Sequence, residues 1–146
     1  STAMRQLVSE QELAERPYLL ENIYKKTHPN HPCVYWVKKS TGNWRWLYYL
    51  ANGLADEFRL RHGKMHKSTI PLEYLYRVPK RLPVGERTDP PLCMQEQYML
   101  YNQSGKLDSL TSYRAYYAIG KMYLTQDGYR RGRAKPRWMK QIHNEI

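Results

Sequence analysis

Residues 56–68 (DEFRLRHGKMHKS) bring carboxylate, cationic and imidazole side chains together in one short stretch. Glu57 and Arg61 lie four positions apart, in the order that favours an ion pair on one face of a helix. A carboxylate surrounded by positive charge stays ionised, which suits a general base or an electrostatic stabiliser beside a phosphate-bearing substrate. The structural alternative is a solvated helix end whose cations complement the helix dipole.

This stretch supplies the candidate catalytic residues. We predict that Glu57 is the reactive carboxylate and that Lys64 and His66 act with it. The other cations of the stretch are predicted to contact nucleic acid, and they are Arg61, His62 and Lys67.

A second basic stretch, residues 128–140 (GYRRGRAKPRWMK), has six positive side chains and no negative one. Glycines at positions 128 and 132 loosen the backbone, so the cations are predicted to follow a curved phosphate path. Trp138 is predicted either to stack on a base or to anchor the segment to the core. The alternative is a partly disordered tail. The predicted phosphate contacts are Arg130, Arg131, Arg133, Lys135 and Arg137.

The balance of aromatic residues also favours a nucleic-acid surface. The chain has 14 tyrosines and four tryptophans against one phenylalanine. Tyrosine and tryptophan combine a flat face for stacking with a polar tip, whereas a core that needs only bulk would use more phenylalanine. In residues 112–117 (SYRAYY) a cation alternates with rings, and we predict that Arg114 and Tyr116 contact nucleic acid.

Histidine and cysteine give weaker signals. His28, His31 and Cys33 are weak candidates for metal ligands, because no paired-cysteine or His-Glu-x-x-His motif accompanies them. Cys93 would need a neighbouring histidine to act as a nucleophile, and a buried structural cysteine is the favoured interpretation. We therefore predict no metal and no cofactor, and two free thiols in a reducing cytosol.

The charge of the chain indicates its partners. Among 146 residues, 24 are Lys or Arg and 13 are Asp or Glu, which gives a formal net charge of +11. Such an excess attracts polyanions, so DNA is the leading partner and an acidic host protein is the alternative. No membrane partner is predicted, because the sequence has no long apolar run, basic amphipathic helix or lipidation motif. The oligomeric state is left open.

The elements that position these residues are predicted to be short helices joined by proline-rich loops. The strongest prediction is a helix over residues 43–62, ended by Gly63. Its apolar stripe, at alternating spacings of three and four, comprises Trp44, Leu47, Ala51, Leu54 and Phe58.

Shorter helices are predicted on both sides of it. Ser9 and Glu12 form a capping box that starts one near residue 10, and further helices are predicted over residues 18–26 and 68–78. Asp108 caps a helix over residues 109–124. Its predicted apolar stripe comprises Leu110, Tyr113, Tyr117 and Leu124. Residues 27–33 and 79–93 are predicted to be ordered loops, the second long enough to suggest a function.

These elements predict a mainly α protein, a compact single-domain helical fold with long proline-rich loops. No alternation typical of strands persists in the sequence. Residues 1–3 are interpreted as the remnant of a purification tag and residues 4–127 as the helical domain. Residues 128–146 form a basic carboxy-terminal segment that packs on the domain or trails from it.

Four blocks of the sequence resemble, in this order, those of a largely uncharacterised family of small tailed-bacteriophage proteins. The blocks are HPCVYWVKKSTGNWRWL, RLRHGKMHKS, PPLCM and SYRAYY, within a span from about Tyr24 to Trp138. Some members carry the label "similar to pyrimidine-dimer DNA glycosylases". The resemblance implies a small helical enzyme that binds duplex DNA, exposes a nucleotide and breaks an N-glycosidic bond. It also implies the cytoplasm of an infected bacterial host.

The amino-terminal block differs from that family. Many relatives begin with a segment that contains Cys-Asp-Lys-His, where this chain has MRQLVSEQELAERPYLLEN. Pyrimidine-dimer glycosylases act through a free amino-terminal amine on a small residue, and Arg5 after Met4 is bulky. An imine mechanism would therefore need Lys64 or Lys67 with a lowered pKa.

Three hypotheses follow from the sequence. The first is a glycosylase-like DNA-acting enzyme with Glu57 as its carboxylate. The second is a DNA-binding phage factor without catalysis. The third is an inhibitor that binds an acidic host protein.

Overall fold

The longest helix in the computed structural model, α5 (Thr41–His62), forms where the apolar spacing predicts it. Ser40 caps its start, because the Ser40 hydroxyl accepts a hydrogen bond from the Asn43 N–H at 3.1 Å. Gly63 ends it in the left-handed conformation (φ 67°), which glycine adopts without a Cβ penalty. The helix predicted over residues 43–62 is confirmed, with two further residues at its start.

The structure describes residues 1–125 and 130–139. This part of the chain is mainly helical, as predicted, and its only β pairing is an isolated bridge between Tyr101 and Leu107. Two compact units are present: residues 1–59 with 63–88, and residues 60–62 with the described residues from 89 onward. Within the described residues, each helix is too short or too polar to span a lipid bilayer.

Five short helices belong to the first unit together with most of α5. They are α1 (Thr2–Leu7), α2 (Glu10–Ala14), α3 (Pro17–Asn22), α4 (Pro32–Val37) and α6 (Thr69–Leu75). Residues 1–3, interpreted from the sequence as a tag remnant, are built into this unit: Ser1 caps α1 and Ala3 is buried.

Local capping signals place α2 as predicted. The Ser9 hydroxyl accepts a hydrogen bond from the Glu12 N–H at 3.1 Å, and the Ser9 N–H donates to the Glu12 carboxylate at 2.9 Å. The two hydrogen bonds give the backbone N–H groups of Ser9 and Glu12 the acceptors that they lack within the helix. These hydrogen bonds also lower the pKa of Glu12, so the carboxylate stays ionised.

Helix α3 is shorter than predicted, because it ends at Asn22 instead of residue 26. The cause is a tertiary contact. The guanidinium of Arg5 in α1 donates to the Leu20 and Ile23 carbonyl oxygens at 3.1 and 2.8 Å, and to the Tyr24 carbonyl oxygen at 2.8 Å. Carbonyl groups at the end of a helix lack partners within the helix, so a side chain from elsewhere in the fold completes them.

The core of the first unit uses only part of the predicted α5 stripe. Trp44 is buried, and its indole N–H donates to the Leu75 carbonyl oxygen at 2.9 Å. Leu47 and Leu54 belong to the same stripe but are 39% and 63% exposed, so only part of the stripe is buried. The buried apolar cluster comprises Ala3, Met4, Leu13, Leu19, Ile23, Trp36, Val37, Trp44 and Leu82.

A buried asparagine fastens the proline-rich loop to this core. Asn43 is 0% exposed, and its amide nitrogen donates to the Trp36 carbonyl oxygen at 2.8 Å. Its amide oxygen accepts a hydrogen bond from the Thr88 N–H, also at 2.8 Å. The Trp36 indole N–H donates to the Thr88 hydroxyl at 3.0 Å. The loop predicted over residues 79–93 contains no helix or strand, and its first part is held by these bonds.

Gly42 makes a close approach between α5 and the same loop possible. A Cβ atom at this position would lie 2.4 Å from the backbone nitrogen of Arg87 and 2.4 Å from the carbonyl carbon of Glu86. These neighbours are backbone atoms, which cannot rotate away as a side chain can. Position 42 therefore requires glycine in this fold.

The second unit contains α7 (Ser109–Ala115), which Asp108 caps as predicted. The Asp108 carboxylate accepts hydrogen bonds from the Thr111 N–H at 3.0 Å and from the Thr111 hydroxyl at 2.8 Å. The prediction of a single α-helix over residues 109–124 is wrong, however. After Ala115 the chain continues as a π-helical turn (Tyr116–Gly120) and a 3₁₀ turn (Met122–Thr125).

The predicted apolar stripe of this region is also wrong. Leu110 and Tyr117 are 61% and 50% exposed, whereas Ser112 and Ala118 are fully buried. The Ser112 hydroxyl accepts a hydrogen bond from the Leu100 N–H at 2.8 Å, so a polar contact occupies the buried face. Small residues face the interior here and leave large rings at the surface.

Candidate nucleic-acid interface

The predicted catalytic residues lie at the carboxy-terminal end of α5 and in the turn that leads to α6. Glu57 is half-buried on α5, and Lys64, His66 and Lys67 are exposed in the turn. Arg61 and His62 occupy the last two positions of α5 and are half-buried. The predicted ion pair between Glu57 and Arg61 stays a prediction.

His66 has a defined orientation. Its Nδ1 accepts a hydrogen bond from the Ser68 N–H at 3.1 Å, and its ring packs edge-on against Phe58 with centroids 4.7 Å apart. In a neutral imidazole one nitrogen accepts and the other carries the proton. Nε2 therefore carries the proton and presents an N–H donor, which suits contact with a phosphate or a base oxygen better than proton abstraction.

An open cavity of about 410 Å³ lies beside His66. Its walls are mainly apolar and include Leu54, Phe58 and Leu72. Glu57 does not line this cavity. The predicted carboxylate is therefore not part of the wall of this cavity.

In the second unit, aromatic rings and a cation gather around the π-helical turn. Tyr98 and Tyr116 have ring centroids 5.2 Å apart, and Tyr116 and Tyr117 have centroids 6.0 Å apart. The Lys121 ammonium lies 5.3 Å from the centroid of Tyr116 and 5.7 Å from that of Tyr123, within cation–π range. We call these five residues the tyrosine–lysine surface.

The backbone of the π turn sets this arrangement. The Lys121 N–H donates to the Tyr116 carbonyl oxygen at 2.9 Å, a bond across five residues instead of four. Gly120 lets Tyr98 approach, because a Cβ atom there would lie 2.8 Å from the Tyr98 ring. The turn therefore places Lys121 among rings that come from two separate parts of the sequence.

The rings hold Lys121 in its charged form. Hydrogen bonding to the side chain of Tyr116, and next to that of Tyr123, raises the pKa of Lys121 above its ordinary value. The ammonium donates to the Tyr123 hydroxyl at 3.4 Å. Tyr117 and Tyr123 are 50% and 60% exposed, so ring surface remains accessible beside the fixed charge.

Arg114 and Trp138 form a second cation–aromatic pair in this unit. The Arg114 guanidinium carbon lies 5.8 Å from the centroid of the Trp138 ring, and both residues are half-buried. Met139, the next residue, is 4% exposed. Of the two predictions for Trp138, the structure favours an anchor for the basic segment, and Arg114 has a partner within the protein.

The basic segment ahead of Trp138 is exposed where it is described. Arg131, Arg133, Lys135 and Arg137 all have exposed side chains. Arg131 adopts the left-handed conformation (φ 57°), and Gly132 follows it with φ 72°. The chain therefore turns sharply between Arg131 and Arg133. Gly128 and the side chain of Arg130 lie outside the described residues.

The weak metal candidates have a local structural role. Helix α4 begins at Pro32, so the last two residues of the loop predicted over residues 27–33 are helical. His31 caps α4, and its Nδ1 accepts a hydrogen bond from the Cys33 N–H at 3.1 Å. His28 is exposed with φ 46°. Cys33 is half-buried, and its thiol is not part of a disulfide.

Cys93, predicted to be a buried structural cysteine, is half-buried in the second unit and also outside any disulfide. Its N–H donates to the Tyr113 hydroxyl at 3.3 Å, and that hydroxyl donates to the Pro91 carbonyl oxygen at 2.8 Å. Tyr113 thus fastens the PPLCM segment to α7, which gives the segment a structural function.

Four members of the tyrosine–lysine surface were not predicted to contact nucleic acid: Tyr98, Tyr117, Lys121 and Tyr123. Tyr98 lies 18 residues before Tyr116, so no local spacing links the two rings. Lys121 follows Tyr116 by five residues, a spacing that has no meaning on an ideal α-helix. The only sequence signal for this surface was the excess of tyrosine over phenylalanine, and that excess does not show which tyrosines are involved.

Comparison of the chain with protein-family models, curated protein sequences and solved structures finds no match.

Proposed function

We propose that the protein binds DNA with exposed bases through the tyrosine–lysine surface. The observation that carries the proposal is Lys121, held between the rings of Tyr116 and Tyr123 beside accessible ring surface. Base stacking on aromatic rings next to a fixed cation is how sequence-tolerant binding of single strands works. The formal net charge of +11 adds long-range attraction for a polyanion.

Fluorescence anisotropy with labelled single-stranded and double-stranded DNA tests the proposal. We expect tighter binding of the single strand, with log affinity falling linearly with log salt concentration. Tyr117→Ser removes a half-exposed ring and should weaken binding roughly tenfold, because a base–ring stack contributes about 1–3 kcal/mol. Lys121→Gln should flatten the salt dependence, lowering the slope by about 0.7.

The second unit offers matched controls for both changes. Tyr101 is 67% exposed and lies outside the tyrosine–lysine surface, so Tyr101→Ser removes a ring of the same kind. Lys106 is exposed at a separate turn, and Lys106→Gln removes the same charge. Equal losses in the controls and in the surface variants would mean that binding does not use this surface.

The basic segment is proposed to add phosphate contacts. Arg131 and Arg137 are exposed, and Trp138 anchors the segment next to them. A chain truncated before Gly128 should bind DNA with a smaller salt slope than the intact chain. An unchanged slope would remove the segment from the interface.

A second candidate function is glycosylase-like processing of a base. The cavity of about 410 Å³ supports it, since it has mainly apolar walls and His66 lines it. In this proposal Glu57 is the carboxylate, and Lys64 is an amine for covalent attack. Glu57→Gln should abolish turnover on damaged or modified DNA and leave DNA affinity intact, and normal turnover would reject the assignment.

Borohydride reduction separates the two possible mechanisms of that enzyme. An imine between an enzyme amine and the sugar would be trapped as a stable protein–DNA adduct, and Lys64→Arg should abolish the adduct. Turnover without an adduct would leave hydrolysis assisted by Glu57. Little DNA binding even at low salt would instead favour the third hypothesis, an inhibitor of an acidic host protein.

A further inference from the structure

We propose that the first unit binds a nucleoside monophosphate group in a cavity bordered by α1, α3 and α6. The cavity has a volume of about 580 Å³, within the range of small-molecule sites. Met4 and Leu19, which are 4% and 7% exposed, contribute apolar surface to it. The cavity shares no residue with the α5 turn or with the tyrosine–lysine surface, so this inference does not rest on the proposed function.

Two tyrosine rings form an aromatic part of the cavity wall. The rings of Tyr18 and Tyr74 lie 4.9 Å apart between centroids with an interplanar angle of 79°, an edge-to-face contact. An edge-to-face pair leaves the face of one ring uncovered. Tyr18 is 61% exposed, so its ring has surface available for a planar base. The aromatic pair thus favours a ligand with a flat ring.

Charged side chains line the same cavity with an excess of positive charge. Four cations face two carboxylates, which leaves two positive charges: Arg16, Arg77, Lys80 and Arg81 against Glu12 and Glu73. An excess of two positive charges complements the two negative charges of a phosphate monoester.

The cations of the cavity are not equally available to bind a phosphate. Arg81 lies 3.9 Å from the Glu12 carboxylate, which the Ser9 hydrogen bonds keep in place and ionised. Arg16, Arg77 and Lys80 make no ion pair with any residue that the structure describes, and Arg77 and Lys80 are only three positions apart. These two side chains are therefore the ones assigned to the phosphate.

A nucleoside monophosphate is the ligand class that uses both features. A nucleoside alone would leave the cations without an anion, and inorganic phosphate alone would leave the ring wall unused. The same chemical group occurs as a free nucleotide and at the 5′-phosphorylated end of a DNA strand. Both sources present one base and one dianionic phosphate.

Isothermal titration calorimetry on the intact chain tests this site with dTMP, thymidine and inorganic phosphate. We expect dTMP to bind about tenfold or more tightly than either fragment. The double variant Arg77→Gln/Lys80→Gln should weaken dTMP binding at least about tenfold, because hydrogen bonds to charged groups carry more energy than neutral ones. The matched control is Lys25→Gln/Lys39→Gln, which removes two exposed lysines of the same unit outside the cavity.

The ligand series also identifies the source. Tighter binding of dTMP than of 5′-phosphorylated tetrathymidylate indicates a free nucleotide, and the reverse order indicates a strand end. Absence of saturable binding for both ligands overturns the site, as does equal weakening by the control variant. Phenyl phosphate binding as tightly as dTMP would overturn the nucleotide assignment.

A variant of the other unit keeps the two proposals separate. Tyr117→Ser should leave the affinity for dTMP unchanged, because Tyr117 does not line this cavity. Failure of dTMP to bind would therefore leave DNA binding by the tyrosine–lysine surface untouched, and loss of DNA binding would leave this site untouched.

Discussion

Replacement of Asn43 by alanine should destabilise the first unit more than a typical point substitution. The side chain is 0% exposed and links three segments of the chain. Its nitrogen donates to the Trp36 carbonyl oxygen at 2.8 Å, and its oxygen accepts from the Thr88 N–H at 2.8 Å. Asn43→Ala deletes both bonds and leaves both backbone groups without this partner.

The size of the effect follows from those two groups. A buried donor or acceptor that loses its partner costs about 1–3 kcal/mol, so two such groups cost about 2–6 kcal/mol. Relaxation of the loop at Thr88 would let water reach part of the site, and the small cavity left by the amide adds to the loss. We expect the free energy of unfolding to fall by about 3 kcal/mol, a large part of the 5–15 kcal/mol typical of a domain.

Urea unfolding followed by tryptophan fluorescence is the appropriate assay. Three of the four tryptophans belong to the first unit: Trp36, Trp44 and Trp46. Asn52→Ala is the matched control, because the Asn52 amide donates only within α5, to the Tyr48 carbonyl oxygen at 2.9 Å. Alanine favours a helix at that position, so the control should change stability by less than about 1 kcal/mol.

A double-mutant cycle then tests the origin of the loss. The Thr88 hydroxyl and N–H both contact Asn43, so Asn43→Ala and Thr88→Val should be non-additive by about 1–2 kcal/mol. A loss below about 1 kcal/mol for Asn43→Ala, or strict additivity in the cycle, would refute the assignment of Asn43 as the residue that fastens the loop.

Three further predictions concern the second unit and α5. Gly120→Ala places a Cβ atom 2.8 Å from the Tyr98 ring, so it should weaken single-stranded DNA binding in anisotropy measurements. Gly53→Ala meets nothing within 4 Å and should leave DNA binding unchanged while raising stability by about 1 kcal/mol; the reverse pattern would contradict the packing described. Asp108→Ala should lower the urea midpoint of the second unit at neutral pH, because hydrogen bonds from Thr111 lower the pKa of Asp108 in the folded state. A lowered folded-state pKa stabilises the fold above the unfolded-state pKa, and this stabilisation is lost as pH falls through the folded-state pKa. The difference between wild type and variant should therefore shrink in acid, and a pH-independent difference would disprove the electrostatic part.

Capping residues were predictable because their contacts are local. Ser9 reaches Glu12, Asp108 reaches Thr111, and Gly63 needs only its own backbone conformation. The partners in each pair are no more than three positions apart, so a short local window of the sequence contains both of them. Most helix starts follow from such windows.

Helix ends and surface composition depended on distant residues and were not predictable. Arg5 terminates α3 through carbonyl groups 15 to 19 positions away. Tyr98 packs on Gly120 where α7 has given way to the π turn. Both contacts join residues that are far apart in the sequence, so no local pattern indicates them. The local pattern therefore predicted regular helices at both places.

The candidate sites divide in the same way. The candidate residues at the end of α5 could be named from the sequence, because Glu57 and His66 are close along the chain, and their shared role stays a prediction. The cavity bordered by α1, α3 and α6 was not, because Tyr18 and Tyr74 come from segments more than 50 residues apart. Sites assembled by tertiary packing require the fold before they can be found.

The π-helical turn also lets this part of the second unit accommodate one extra residue. A bond across five residues holds one residue more per turn than an α-helix does, so the turn is equivalent to a single-residue insertion. Deleting one residue between Tyr116 and Gly120 would let the segment return to regular α-helix. The shortened turn would then close with a bond across four residues, so Lys121 would keep its place beside Tyr116. Regular α-helix with all five residues kept would instead rotate every later residue by about 100° around the axis and move Lys121 away from the rings, so the π turn accommodates the extra residue without displacing the cation.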